Sequence, residues 1–336
     1  MRYILVLFFL LSPHLLAKEN AGISGFTETV FIVSDMQSTA SMLTDVGGWH
    51  VISTPEVDKQ LAKLWQLPAT AKFHQMLLAN KGEQRGYMRL IEIDGVKQQL
   101  IRPNTQSWDT GGIFDVNMRV KNIATKRDQL LAKGWFSATD PIQFNFGPYV
   151  VKEWIVKNAD GVAFALIERI APELTDWPNL KGFSRVFNST QVVPDIEKSL
   201  PFYTDVLGFK TYLKHKGASK EQGPNVLGLP HNLTTEIGRS VYILHPDGVN
   251  EGSVELLQFH GASGRDLSIN AAPPNIGIVT LRFPVEDLAA LKQTFTKNNI
   301  DIVSETQLNL PPYGLVDILA IKTPDQTWIE SVSYTH

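Results

Sequence analysis

Histidine, cysteine and tyrosine often carry nucleophilic, acid–base or metal chemistry, and this sequence has few arrangements of them that could react. It contains eight histidines and no cysteine. A cysteine nucleophile, a Cys–His pair and thiolate metal sites are therefore excluded, and neither HxH nor HExxH occurs. His74, in the β-like run "KFHQMLLAN", is a candidate general base. The alternative is an ordinary half-buried histidine of a sheet.

Two tyrosines stand at matching points of the chain. Tyr149 follows the proline of "FGPYVV" and Tyr313 follows that of "PPYGLV", each in a predicted loop before a β-rich run. Each could close over a ligand and offer a hydroxyl, and packing within a turn is the alternative. "SGRD" does not lie between a strand and a helix, so no phosphate-binding loop is predicted.

The composition is that of an ordinary globular protein. The chain has 336 residues, of which 43% are hydrophobic and 19% charged. This length suggests two domains, each able to bury a core of its own. The formal net charge is −3, with both signs spread along the chain. Because no basic stripe stands out, nucleic acid is not an expected partner.

The first residues have the pattern of a secretory signal peptide. "MRYILVLFFLLSPHLLAKE" carries Arg2, an apolar run and the small Ala17, after which cleavage is predicted, so residues 1–17 form the signal peptide. The alternative is a membrane anchor, but the run is shorter than the roughly 20 residues that span a bilayer. We therefore expect a periplasmic or secreted protein without a stable membrane anchor. The absence of cysteine suits an oxidising compartment.

The chain repeats itself. "LTDVGGWHV" near the start matches "YTDVLGFKT" near the middle. Ten residues before the aspartate of each motif stands another aspartate, Asp35 or Asp195, which separates a β-rich run from a helical stretch. Aspartate is a favourable N-cap, because its carboxylate accepts backbone N–H bonds of the first turn. Gly47 and Gly208 are expected to end these helices.

A second pair of repeats lies between the first. Residues 115–135 and 280–300 each predict a strand followed by an amphipathic helix. Residues 142–168 and 306–332 then share a Pro-Tyr loop, a β run, an Asp turn and a final β run. The order is A-B-A′-B′, in which each module has a strand, a helix and three strands. Residues 170–182, with two prolines, form the predicted linker.

These repeats resemble the vicinal oxygen chelate superfamily, which includes glyoxalase I, bleomycin-resistance proteins, fosfomycin-resistance enzymes and extradiol dioxygenases. The resemblance is carried by "FIVSD" with "TDVGGW", "QVVPD" with "FYTDVLGF", and the endings "ADGVAFALIE" and "PDQTWIE". It covers about residues 24–334. It implies an α+β fold of two tandem domains, 24–169 and 183–334, each made of two paired βαβββ modules that form a curved-sheet cup.

Enzymes of this superfamily bind a divalent metal in the cup, through ligands on the first and last strands of paired modules. The resemblance implies that the first ligand lies seven residues before the residue that caps the helix. None of the eight matching positions is a histidine. They are Glu28, Asp115, Asn188 and Thr280 on the first strands, and Glu92, Ala165, Glu255 and Glu330 on the last strands.

Taken in chain order, the modules would place Glu28, Glu92 and Asp115 in a first cup, where Ala165 offers no donor. The two-His, one-carboxylate site of ferrous dioxygenases is absent, and zinc is poorly served without imidazole or thiolate. Three carboxylates could still hold a hard cation, Mn²⁺, Mg²⁺ or Ca²⁺, and iron stays among the candidates. The sequence does not determine which modules pair.

The second cup would then contain the other four positions, Asn188, Glu255, Thr280 and Glu330. Arg282 lies two residues after Thr280 and shares its face of the strand, beside these carboxylates. Pairing of arginine with carboxylate is therefore the alternative to a metal in this cup. Arg119, on the face of Asp115, offers the same alternative in the first cup.

We expect a protein that binds or processes a small organic molecule in a cup, without the usual histidine ligands. One alternative is a divalent-metal-dependent isomerase, lyase or ring-opening enzyme with Glu28, Glu92 and Asp115 as ligands, and another is a non-catalytic interaction scaffold. An oxygen-activating dioxygenase and a glutathione-dependent glyoxalase are disfavoured, and homodimer formation stays open. The candidate ligand-binding residues are Asn188, Glu255, Thr280, Arg282, Glu330, Tyr149 and Tyr313.

Overall fold

The structure is a computed structural model that describes residues 21–334, so the predicted signal peptide lies outside the described residues. Within this range the chain forms two curled eight-stranded sheets with short helices. The predicted α+β class is confirmed, as are four modules that each contribute four strands. Across residues 21–334, no helix has both the length and the apolar composition needed to cross a membrane.

The elements follow the predicted repeat, with one additional helix, α2, in module A. Module A comprises β1 (Glu28–Ile32), α1 (Met36–Ser41), β2 (Trp49–Ser53), α2 (Gln60–Leu64), β3 (Lys72–Asn80) and β4 (Tyr87–Asp94). Module B comprises β5 (Ile113–Val120), α3 (Ile123–Ala132), β6 (Ile142–Phe146), β7 (Tyr149–Lys157) and β8 (Ala163–Ala171). Module A′ comprises β9 (Phe183–Val192), α4 (Ile196–Pro201), β10 (Lys210–Gly217), β11 (Gly238–His245) and β12 (Ser253–His260). Module B′ comprises β13 (Gly277–Pro284), α5 (Leu288–Lys297), β14 (Ile302–Asn309), β15 (Leu315–Lys322) and β16 (Trp328–Tyr334).

The helix boundaries follow the predicted signals closely. The carboxylates of Asp35 and Asp195 accept backbone N–H bonds of the first turn at 2.8 and 3.2 Å, so both predicted N-caps are confirmed. Each helix continues through one π-helical turn. The left-handed residue that follows has φ of 75° at both Gly48 and Gly208. In module A the residue that ends the helix is therefore Gly48, one residue after the predicted Gly47.

The modules pair across the two halves of the chain. Sheet I has the strand order β14-β15-β16-β13-β1-β4-β3-β2 and joins module A to module B′. Sheet II has the order β10-β11-β12-β9-β5-β8-β7-β6 and joins module B to module A′. Grouping the ligand positions in chain order is therefore wrong. Residues 24–169 and 183–334 describe the sequence repeat, and whether either half folds by itself stays a prediction.

One apolar core lies between the two sheets, on the faces that carry the helices. Phe31 of sheet I stacks on Phe164 of sheet II, with ring centroids 5.9 Å apart. Phe283 of sheet I contacts Phe209, at the start of the edge strand of sheet II, at 6.1 Å. Because the helix-bearing faces meet in this core, the two concave faces point away from each other.

The pairing of modules predicts how fragments behave. Residues 183–334 alone contain one module of each sheet and lack the partner strand of both β9 and β13, so we expect no folded monomer. Coexpression with residues 18–182 should restore a one-to-one complex, because β1 and β5 then become available. Light scattering after size exclusion, with circular dichroism, measures this. A cooperatively unfolding monomer of residues 183–334 would contradict the interleaved pairing.

Candidate ligand-binding cup

The concave faces of the two sheets can be compared position by position, because their central strands have matching registers. Glu28 pairs with Arg282 across β1 and β13, and Asn188 pairs with Asn117 across β9 and β5. The neighbouring pairs extend this match to the flanking strands. On sheet I the five matched residues are Glu28, Arg89, Thr280, Arg282 and Glu330. Their counterparts on sheet II, in the same order, are Asn188, Glu255, Asp115, Asn117 and Ala165.

The concave face of sheet I, which we call the closed cup, contains a buried network of ion pairs. Arg89 donates to both carboxylate oxygens of Glu28, at 2.7 and 2.9 Å. Arg282 donates to Glu28 at 2.5 Å and to Glu330 at 2.8 Å. The indole of Trp65 also donates to Glu330, at 2.7 Å. Each of the four charged side chains is at most 2% exposed.

Mutual compensation keeps Glu28 and Arg282 charged. Burial raises the pKa of Glu28, but Arg89 and Arg282 outweigh it and hold the pKa below its ordinary value. Burial opposes the charge of Arg282, yet Glu330 and Glu28 raise its pKa overall. The predicted pairing of Arg282 with Glu330 is confirmed. Pairing with Glu255 is wrong, because Glu255 belongs to sheet II.

The rest of the closed cup is filled by apolar side chains. Leu61, Leu64 and Trp65, from α2 and its end, pack on the interior of the sheet together with Ile93 and Ile318. α2 therefore covers the concave face. The two guanidinium groups already supply the positive charge that a metal would bring to Glu28 and Glu330, so the closed cup does not fit a metal ion.

Two predicted residues of the closed cup have structural contacts. The hydroxyl of Tyr313 donates to Glu28 at 3.3 Å, and its ring lies 5.0 Å from that of Tyr334. The hydroxyl of Thr280 is buried and donates to the carbonyl oxygen of Leu281 at 3.2 Å. Both side chains are parts of the packed interior.

Glu92 lies in neither cup, which corrects its assignment as a metal ligand. Its carboxylate accepts the backbone N–H of Met36, at the start of α1, at 2.6 Å. Gln258 does the same for Ile196 at the start of α4, at 3.1 Å. The counterpart of Glu255 is Arg89, three residues before Glu92. Successive side chains of a strand point to opposite faces, so this odd-numbered error in register placed Glu92 on the wrong side.

The concave face of sheet II, which we call the open cup, contains a cavity of about 200 Å³. Its apolar wall includes Phe144, Ile155, Val241 and Leu257. The counterparts of the closed-cup glutamates and arginines are shorter here, which explains the space. Beyond this wall, the polar or aromatic lining residues are Phe114, Asp115, Asn117, Arg119, Tyr149, Glu153, Arg169, Phe187, Asn188, Thr190, Tyr212, Asn250 and Glu255.

Polar groups form successive rows across the floor of the open cup. Asp115 pairs with Thr190, which pairs with Glu255, so the two acids flank one row. The next row joins Asn117 to Asn188, and the amide of Asn117 donates to Asn188 at 2.6 Å. The third row contains Arg119, Ile167 and Glu153. Along β5 the cup-facing side chains therefore change from carboxyl to amide to guanidinium.

Burial raises the pKa values of the carboxyls of the open cup. Desolvation raises the pKa of Asp115 to about 7, against the opposing effects of Thr190 and Arg102. The pKa values of Glu153 and Glu255 rise to about 8, because of burial first and of neighbouring carboxyls second. Oδ1 of Asp115 is buried and has no hydrogen-bond partner in the described structure. At neutral pH Glu153 and Glu255 are therefore mostly protonated, and Asp115 is about half protonated.

The two arginines of the open cup stack on aromatic rings. The guanidinium of Arg119 lies 4.5 Å from the ring centroid of Phe187, and that of Arg169 lies 3.9 Å from that of Tyr149. The Nε atoms of both arginines are buried without a hydrogen-bond partner among residues 21–334. Burial lowers the pKa of Arg119 to about 10, so it stays charged at neutral pH. No carboxylate of residues 21–334 forms an ion pair with either arginine of the open cup.

The donor set of the open cup does not fit the metal site that the superfamily uses. The four matching positions are Asp115, Ala165, Asn188 and Glu255. Ala165 offers no donor atom, and Asn188 already accepts from Asn117 and donates to Ser253 at 2.8 Å. In the described part of the chain, no group of three or more His, Asp or Glu side chains could hold a metal ion.

The structure thus divides the predicted site residues between two cups. Asp115, Asn188, Glu255 and Tyr149 line the open cup, whereas Glu28, Thr280, Arg282, Glu330 and Tyr313 belong to the closed cup. His74 is an exposed strand residue 3.5 Å from Asp94, and so lies in neither.

Sequence reasoning missed several polar residues of the open cup, among them Glu153 and Arg169. Two steps of two residues along β7 lead from the predicted Tyr149 to Glu153, on the same face of the strand. The same two steps along β8 lead from Ala165 to Arg169. The alternation of side chains was therefore the signal that could have found both.

Comparison with known proteins agrees with this architecture. Residues 185–331 match the family model described as the Glyoxalase/Bleomycin resistance protein/Dioxygenase superfamily. Glyoxalase I from Zea mays is similar over 93% of this chain and 92% of its own, at 16% identity and a TM-score of 0.60. A proposed dioxygenase from Bacillus subtilis is similar over 94% of this chain and 86% of its own, at 10% identity and a TM-score of 0.57. No curated protein matches the chain.

These findings support the resemblance seen in the sequence. Residues 185–331 match the glyoxalase, bleomycin resistance and dioxygenase superfamily, also called the vicinal oxygen chelate superfamily, and the fold of the chain is similar to that of glyoxalase I. At these low identities the two solved structures show the shared fold alone. A cup of this fold supports the binding or processing of a small molecule, and the chemistry must be argued from the site.

The closed cup predicts a large stability loss on removal of one charge. In Arg282→Met, Glu28 keeps Arg89 as its arginine partner, whereas Glu330 has no arginine partner left. Because this leaves a buried carboxylate without a counter-charge, we expect destabilisation of about 3–5 kcal/mol. Urea unfolding measures it. The exposed ion pair of Arg127 with Asp140 is the control, and Arg127→Met should destabilise the protein far less than Arg282→Met. A loss below about 1 kcal/mol for Arg282→Met would show that the network is unimportant for stability.

The raised pKa values of the open-cup carboxyls predict that the free energy of unfolding falls as pH rises. Unfolded Asp and Glu titrate near pH 4, whereas Asp115, Glu153 and Glu255 titrate near 7 to 8 in the folded protein. Between these values the folded state holds more protons, so stability decreases from about pH 5 to pH 8. Glu255→Gln should flatten this decrease in thermal melts across the range. An unchanged slope in the variant would refute the protonated state of Glu255.

Proposed function

We propose that the protein binds or processes a small organic molecule in the open cup, with side chains of the chain itself and without a histidine-based metal site. The observation that supports this most is the contrast between the cups. In the closed cup the charges are paired and the space is filled, whereas the open cup keeps a cavity with unpaired carboxyl and guanidinium groups. Unpaired buried polar groups are costly, and a ligand would satisfy them.

The size of the cavity limits the ligand. A cavity of about 150 Å³ holds benzene, and sites for drug-sized ligands run from about 300 to 1,000 Å³. The open cup, at about 200 Å³, suits a short chain or a single ring. Aromatic rings from Phe114, Phe144, Phe187 and Tyr149 around a few convergent polar groups are typical of such sites.

Two other expectations enter this proposal. The N-terminal sequence pattern supports action in the periplasm or outside the cell, after cleavage of the signal peptide. A divalent-metal enzyme is the alternative, but its predicted ligands Glu28, Glu92 and Asp115 do not come together in the structure. A hard cation between Asp115, Glu153 and Glu255 would need a rearranged cup, and the experiment below tests for it.

The first test measures bound metal and ligand binding together. Mature protein purified without chelator is assayed by inductively coupled plasma mass spectrometry, and a panel of small organic molecules is screened by thermal shift. Val241→Trp fills the cavity, and Val51→Trp, on an exposed strand position of sheet I, is the matched control. We expect molecules that raise the melting temperature of the wild type and of Val51→Trp but not of Val241→Trp. A ligand at 100 times its Kd adds about 2.7 kcal/mol.

Two outcomes would overturn the proposal. One Mn, Fe or Zn per chain that disappears in Glu255→Gln would establish a metal site in the open cup. A panel in which no molecule acts through the cavity, with both tryptophan variants folded, would favour an interaction scaffold.

A further inference from the structure

The charged groups of the open cup are separated along one strand. β5 presents Asp115, Asn117 and Arg119 on the concave face, and at the usual strand rise the Cα atoms of the first and last are about 13 Å apart. Glu255 lies level with Asp115, through Thr190. The cavity therefore has an acidic end and a basic end with amides between them.

The basic end is suited to a carboxylate. Arg119 and Arg169 are held with their faces on aromatic rings, which leaves the edges of the guanidinium groups for hydrogen bonding. A planar guanidinium matches a carboxylate in two parallel hydrogen bonds. Glu153, level with Arg119, has its pKa raised to about 8 by burial and by Asp115, so at neutral pH it does not neutralise both arginines.

The acidic end is suited to a cation. Oδ1 of Asp115 is a buried acceptor without a donor, on a side chain only 2% exposed. Burial raises the pKa of Glu255, and the neighbouring Asp115 and Glu153 raise it further, so its ionised form is disfavoured. An ammonium group at this end would supply the positive charge that lets both acids ionise. The charged and titratable groups that face these two acids are Arg119 on β5, Tyr149 and Glu153 on β7, Arg169 on β8, Tyr212 on β10, and Arg102 behind Phe114.

We propose that the ligand of the open cup is a small aminocarboxylic acid, whose carboxylate binds Arg119 and Arg169 and whose ammonium group binds Asp115 and Glu255. This inference rests on the proposed function and specifies the ligand class of the same site. The apolar wall of Ile155 and Leu257 lies along the carbon chain of the ligand. The separation of the two ends favours an amino group distant from the carboxylate over an α-amino acid.

Calorimetric titration of the full mature chain tests this inference. The probes are straight-chain ω-aminocarboxylates from 4-aminobutyrate to 8-aminooctanoate, with hexanoate and hexylamine as single-ended controls. One member of the series should bind at least about tenfold more tightly than either control, the effect expected of one charge-assisted hydrogen bond. At pH 7 binding should release protons from Asp115 and Glu255, seen as heats that depend on the buffer. Hexanoate should release none.

Variants separate the two ends. Arg119→Gln should weaken the aminocarboxylate about tenfold and leave hexylamine unchanged. Glu255→Gln should weaken the aminocarboxylate and abolish most of the proton release, while leaving hexanoate unchanged. Arg127→Gln, on the surface of α3, is the matched control and should alter neither. Equal weakening of both single-ended probes by Arg119→Gln would indicate general damage to the cup and overturn the inference.

Failure of this inference can be distinguished from failure of the proposed function. If no aminocarboxylate binds better than its single-ended controls, while other molecules still stabilise the wild type but not Val241→Trp, the ligand class is wrong and the binding cup stands. If no molecule acts through the cavity, both proposals fail.

Discussion

The buried ion pair of Glu28 and Arg282 crosses the seam between β1 and β13, and so joins the first module of the chain to the last. Charges taken out of water are tolerated only when their partners and geometry are good. Arg89 and Glu330 complete the set, and the four groups together balance to zero charge. This constraint ties the register of the β1–β13 seam to the side chains it buries, because a slip of one residue would move the charged side chains of one half of the sheet to the other face.

Sheet II has the same strand arrangement as sheet I, but it lacks the arginines that pair with the buried carboxylates of sheet I. Asn188, Asn117 and Ala165 take the positions of Glu28, Arg282 and Glu330. Smaller side chains open the cavity, and the loss of both arginines leaves Asp115 and Glu255 without a guanidinium partner. One pair of modules thus has an interior that is neutralised and filled, while the other keeps a space with polar groups exposed to it. Such unsatisfied groups are expected where a fold departs from maximal stability for the sake of binding.

The electrostatics of the open cup depend on where the carboxyls lie relative to the arginines. Arg119 and Asp115 lie two rows apart on the same strand, and Arg169 lies on the neighbouring strand, stacked on Tyr149. Their attraction across this distance is too weak to offset burial, so the acids take up protons while the arginines stay charged. It follows that the open cup has a net positive charge at neutral pH. This charge falls as pH rises, because the carboxyls lose their protons.

Local sequence determined the secondary structure of this protein and the strand faces of several site residues. The four modules, the caps at Asp35 and Asp195, and the shared face of Asp115, Asn117 and Arg119 follow from composition, turn chemistry and two-residue alternation, which act over a few residues. The absence of histidine from the positions that the resemblance assigns to metal ligands also came from the sequence alone.

Tertiary structure decided which modules meet, and therefore which groups share a cup. The connections 95–112 and 261–276 are long enough to carry the chain to either sheet, so no local pattern distinguishes the two pairings. The face of Glu92 and the partnership of Arg89 with Glu28 depend on strand register, which is set by contacts between residues distant in the chain. The pKa values of the open cup follow in turn, because burial and neighbouring charge exist only once the sheets have formed.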